Sequence, residues 1–95
     1  MTVMLQVDWP ELNAEQFDAL SKIVDWEGKR PPGCLYAVAA FDESGAHMTE
    51  VWESAEDLQR YSDERLMPGV QQVGIAGAPE IRLSHVHTVF APGYE

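Results

Sequence analysis

The sequence predicts an α+β fold of ferredoxin-like type: an antiparallel four-stranded sheet with two helices on one face, in the order β-α-β-β-α-β. Three observations carry that expectation. Segments of strand length with alternating or continuous apolar character occur four times. Two segments between them place apolar residues at helical spacing instead. The middle two strands are joined only by DESG, turn chemistry that closes a hairpin, whereas each outer connection is long enough to hold a helix.

Taken in order, TVMLQVDW (Thr2 to Trp9) alternates as a strand, with Val3, Leu5 and Val7 on one side, and Pro10 ends it. Asn13 caps the first helix, with Gln16 completing a capping box and Gly28 as the expected stop. Ala14, Phe17, Leu20, Ser21 and Val24 form its inner stripe. GKRPPG is a stiff loop, because each proline restricts itself and its predecessor. CLYAVAAF (Cys34 to Phe41) is nearly all apolar and reads as a strand covered on both faces. AHMTEVWE returns as the third strand, with Met48, Glu50 and Trp52 sharing a side. Ser54 caps the second helix, Asp57 occupies the capping-box position, and acidic residues fill the first turn, where the helix dipole favours them. Pro68 kinks or restarts that helix.

The last strand, IRLSHVHTVF, puts Ile81, Leu83, His85, His87 and Val89 in one row. That row reads as core-facing, yet two imidazoles stand at its centre. Three roles are open to His85 and His87: hydrogen-bonded groups at a dimer seam, pocket-lining residues, or metal ligands. A metal needs further ligands. In a 4-1-3-2 sheet Glu50 lies two strands away, about 10 Å between backbones, so no metal site is expected.

A chain of 95 residues is expected to form one domain, residues 1–95, with a modest core. Nothing is left over to cover the second face of its sheet, so a homodimer is expected. Sixteen acidic against six basic residues, net charge −10, argue against nucleic acid and anionic membranes as partners. No apolar run reaches membrane-spanning length, and the N-terminal segment lacks a signal-peptide pattern. Cys34, the single cysteine, permits no internal disulfide and reads as inert, and a cytoplasmic location is expected. His47 is expected to be solvated.

EVWESAEDLQRYSDERLMP, Glu50 to Pro68, resembles the strand-to-helix segment of the dimeric α+β barrel superfamily, in its antibiotic-biosynthesis-monooxygenase-like branch. The W-x-S of Trp52 and Ser54, the aromatic Tyr61 and the R-x-x-P of Arg65 to Pro68 carry the likeness. The resemblance implies homodimers joined through their sheets and a pocket between sheet and helices in each subunit. Some members oxidise aromatic polyketides with oxygen and no metal or flavin; others degrade haem. The haem branch has an axial histidine where this chain has Gln71, which disfavours haem.

On that basis the expected function is a small-molecule-binding protein, in the enzyme reading a cofactor-independent monooxygenase of an aromatic or polyketide-like substrate. His85 or His87 would be the base, with Tyr61, Trp52 and Glu50 contacting substrate. Two alternatives use the same fold: a non-catalytic ligand-binding or interaction module, and a cyclase or isomerase using the same pocket.

Overall fold

The computed structural model describes residues 1–93; Tyr94 and Glu95, the end of the expected domain span, lie outside the described residues. Its elements are β1 (Val3–Trp9), α1 (Ala14–Val24), β2 (Cys34–Asp42), β3 (Gly45–Trp52), α2 (Ala55–Tyr61), a π-helical turn (Ser62–Leu66), α3 (Met67–Val73) and β4 (Glu80–His85). The four strands form one antiparallel sheet in the order β2-β3-β1-β4. The α+β, ferredoxin-like expectation holds, and β2 and β4 are the free edges.

Local chemistry sets the helix starts. Asn13 accepts the Gln16 N–H at 2.8 Å, and the Gln16 side chain accepts the Asn13 N–H at 3.1 Å. Ser54 Oγ accepts the Asp57 N–H at 3.1 Å and donates to the Asp57 carboxylate at 2.9 Å. These bonds satisfy donors that a helix start otherwise leaves open. The end of α1 differs from expectation. The helix stops at Val24, not near Gly28, because Asp25 adopts a left-handed conformation (φ 54°, ψ 48°) and its N–H returns to Ser21 O.

Pro68 acts where the sequence placed it. It has no N–H for the Glu64 carbonyl, and its ring would crowd that carbonyl in a regular helix. The chain widens into the π-helical turn just before it, closed by Met67 N–H to Ser62 O, and α3 then continues. Gly69, in α3, is buried against α1. A Cβ there would lie 2.9 Å from Leu20 Cδ1, so a larger residue would have to displace that methyl group.

The core lies between the helices and the two central strands. Val3, Leu5, Val7 and Trp9 of β1 alternate buried with half-buried Met4, Gln6 and Asp8. They pack with Leu12, Leu20, Val24, Trp52, Tyr61 and Val70. Trp9 Nε1–H donates to Ala76 O at 3.0 Å, which ties β1 to the loop entering β4.

The edge strands depart from expectation. Register pairs Ile81, Leu83 and His85 with Val7, Leu5 and Val3, so the row does face the helix side. Yet Ile81 is 62% and Leu83 49% exposed within one chain, and His85 is also exposed. The strand ends at His85, so His87 and Val89 lie beyond it and the expected strand to Phe90 is shorter. β2 is likewise not covered on both faces, since Leu35, Val38 and Phe41 are exposed.

His47 corrects a further expectation. It is not simply solvated, because its ring spans three strands on the open face of the sheet. Nδ1 meets Asp8 Oδ1 at 2.6 Å, and Nε2 meets Asp42 Oδ1 and Ser44 Oγ, each at 2.9 Å. Carboxylates accept at both ring nitrogens, which favours the doubly protonated imidazolium. The bond to Asp8, then that to Asp42, accordingly raises the His47 pKa. Hydrogen bonds from Ser44 and then His47 hold Asp42 down to about 2.

Candidate functional site

A cavity of about 390 Å³ opens between the helix-facing side of β2 and β3 and the helices α1 and α2. A single irregularity in β2 has a large part in creating it. Cys34 pairs with Trp52, but Tyr36 pairs with Val51, which leaves Leu35 as an extra residue in a β-bulge. Past the bulge the alternation is shifted by one. Ala37 and Ala39 therefore stand opposite Glu50 and Met48 on the helix side, where Tyr36 and Val38 would otherwise project. Two methyl groups replace two large side chains, and the space remains open. Tyr36 and Val38 border the cavity as well, so it reaches the free edge of the sheet.

The remaining walls come from Phe17 of α1, Trp26 and Glu27 after it, Arg30 and Pro31 of the proline loop, and Trp52 and Tyr61. The Phe17 and Trp26 rings lie 5.4 Å apart, and the Trp52 and Tyr61 rings 5.1 Å apart at 36°. Aromatic walls with few polar groups are the usual form of a small-molecule site.

Two of those polar groups are buried. Glu50 sits on an otherwise apolar face at 9% exposure and accepts the Trp52 Nε1–H on Oε1 at 2.8 Å. Burial pushes its carboxyl pKa up, and the Trp52 bond opposes this only in part. Tyr61 is 4% exposed, and its hydroxyl has no hydrogen-bond partner among the described residues. Burial, then the nearby Glu50 carboxylate, push the phenol pKa far above its ordinary value, so it remains a proton donor. Cys34, also in the wall, is raised by burial and then by Glu50, which keeps it a thiol.

Arg65 fixes the mouth of the cavity. It lies one helical turn past Tyr61, with its guanidinium 5.8 Å from that ring's centroid. Its NH2 donates to the carbonyls of Val24, of Asp25 at 3.4 Å and of Lys29 at 2.7 Å. One side chain thus caps the open carbonyls of α1 and holds the loop that carries Trp26, Glu27 and Arg30. These partners are distant in the chain, so no local sequence signal marks this role of Arg65.

The structure brings three of the five sequence-predicted site residues together. Glu50, Trp52 and Tyr61 all line the cavity, with Glu50 turned inward on β3. His85 and His87 do not line it. β1 separates β4 from β3, so His85 at the end of β4 and His87 beyond it are exposed at the sheet edge opposite the cavity. No group of three or more metal-ligating side chains suited to an ion occurs among the described residues.

No family model and no curated protein matches the sequence. Solved structures do match the fold. A Chloroflexus aurantiacus J-10-fl protein, named as a candidate antibiotic biosynthesis monooxygenase, superposes at a TM-score of 0.66 with 21% identity, over 95% of this chain and 96% of that one. SnoaB from Streptomyces nogalater, a cofactor-independent oxygenase, superposes in a mutant form at 0.68 with 13% identity, over 93% and 95%. A candidate antibiotic biosynthesis monooxygenase from Caulobacter crescentus CB15 superposes at 0.63 with 18% identity, over 92% and 90%. With nine-tenths or more of each chain superposed, the protein has the antibiotic biosynthesis monooxygenase-like α+β fold.

Proposed function

We propose that the chain binds a flat aromatic or polyketide-like molecule in the cavity beside Glu50 and Tyr61, and oxidises it with molecular oxygen without a cofactor. The carrying observation is the Tyr61 hydroxyl, a buried donor with no acceptor among the described residues, set in an aromatic-walled cavity. Such a group is normally paired, so a ligand oxygen is its natural acceptor. The likeness in fold to SnoaB, itself a cofactor-independent oxygenase, supports the oxygen chemistry.

The proposed reaction converts an activated ring CH2, as in an anthrone, to a carbonyl. Glu50, a stronger base than an exposed carboxylate because it is desolvated, removes a ring proton. Tyr61 O–H stabilises the oxyanion that results. The carbanion reduces oxygen; one oxygen atom enters the product as C=O and the other leaves as water with the two ring hydrogens. The Trp52 Nε1–H holds the carboxyl in position at 2.8 Å. The base role expected for His85 or His87 passes to Glu50 in this reading, because Glu50 borders the cavity.

Ligand-detected NMR with polycyclic phenols, quinones and anthrones tests the binding, on wild type and on Tyr61→Phe and Glu50→Gln variants. Hits bound by the wild type and weakened in the variants go on to oxygen-consumption assays. Saturable binding without oxygen uptake would support the non-catalytic alternative. Absence of binding by folded wild type would sink the proposal.

We also infer a homodimer that covers the edge strand. Ile81, Leu83, Val89 and Phe90 present apolar side chains that one chain leaves in water, and His85 and His87 lie among them. The pair belongs with this surface, the seam role that the sequence left open.

A further inference from the structure

We infer that the cavity selects aromatic ligands bearing an acidic substituent, and that Arg30 at its mouth is the selecting residue. This rests on the ligand-binding reading of the cavity and extends it to substrate class.

Cations are scarce in this chain: six Lys and Arg against sixteen Asp and Glu. Arg60 pairs with Asp57, and the Arg65 guanidinium is engaged by backbone carbonyls. Arg30 lines the cavity. Its Nε donates to Cys34 O at 2.9 Å, while its terminal nitrogens have no partner among the described residues. That bond anchors the guanidinium to a wall strand and leaves the planar fork free for a carboxylate or phenolate. The next residue, Pro31, is buried and restricts the Arg30 backbone, so the group is held before a ligand arrives.

The opposing charges at the site are Glu27 and Glu50. Glu27 shares the mouth and weakens the attraction; Glu50 lies deeper, on β3 beside Trp52. Surface carboxylates elsewhere are screened beyond about 8 Å at physiological ionic strength. A ligand with an oxygen at one end for Tyr61 and an anionic group at the other for Arg30 satisfies both free donors at once. A ring system without the anionic group satisfies only the first.

The test compares naphthol with a hydroxynaphthoate carrying its carboxylate on the distal ring, by calorimetry at low and high salt. Proteins are wild type, Arg30→Gln and Arg30→Lys, each checked for an unchanged melting transition. Wild type should bind the hydroxynaphthoate about fivefold more tightly, the gain of a good exposed charge contact. Arg30→Gln should erase that preference, so that the variant binds hydroxynaphthoate no more tightly than naphthol. Arg30→Lys should keep part of it, and added salt should shrink it. Equal affinities in wild type, or a preference that survives Arg30→Gln, overturn the inference while leaving the cavity reading intact. Failure of both compounds to bind overturns the cavity reading and this inference with it.

Discussion

Replacing Tyr61 by phenylalanine should make the empty protein more stable and the liganded one weaker. The hydroxyl is buried with its residue at 4% exposure and has no partner among the described residues. A desolvated, unpaired hydroxyl costs about 1–3 kcal/mol. At the low end of that range the gain is about 1 kcal/mol. For a domain of this size that is a rise in Tm of about 4–8 °C. Phenylalanine keeps the ring against Trp52 and under Arg65, so packing is conserved. Differential scanning calorimetry at one fixed protein concentration measures the shift, since self-association also moves Tm. In the same preparation, affinity for an oxygen-bearing aromatic should fall about five- to tenfold, one hydrogen bond's worth. A Tyr61→Phe protein that melts lower and binds undiminished would show that the hydroxyl has a protein partner, and the reasoning would fail.

Glu50→Gln keeps an acceptor for Trp52 but cannot ionise. A carboxyl raised in the folded state contributes stability below its ordinary 4.5 that is lost as pH rises through the folded value. The variant should therefore gain on wild type as pH increases, in urea titrations, while losing any turnover. For His47 the raised pKa contributes stability below its ordinary 6.5, lost as pH rises through the folded value. Asp42, held near 2, contributes above its ordinary 3.8 and loses that as pH falls toward 2. The deficit of His47→Gln should be largest between 3.8 and 6.5 and shrink on either side, read from urea midpoints against pH. Arg65→Gln should cost about 2 kcal/mol through lost charged hydrogen bonds and should also weaken ligand binding, because the mouth loop is released. A His85→Ala/His87→Ala variant should bind ligand as wild type does and shift only the dimer equilibrium in light scattering; lost binding would return the pair to the site.

The sequence by itself determined what depends on neighbours within a few residues. Asn13 with Gln16 and Ser54 with Asp57 start the helices as expected, since a cap bond closes over three residues. Pro68 disturbs the second helix where it stands, because its ring meets the carbonyl four residues back. Two-residue alternation put Glu50 and Trp52 on one face, and helical spacing aimed Tyr61 at them. Only the tertiary structure decided the rest. Asp25 ends α1 in a conformation that its own sequence does not announce, under carbonyls that Arg65 caps from 40 residues away. His47 finds Asp8 across 39 residues of chain. Alternation named the side of the sheet that His85 faces, but burial there depends on what covers an edge strand, and one chain leaves it bare. The cavity moved to the opposite edge through one bulged residue, Leu35, which turned Ala37 and Ala39 inward. A one-residue offset reverses every side chain after it while leaving composition and periodicity almost unchanged, so only strand pairing reveals it.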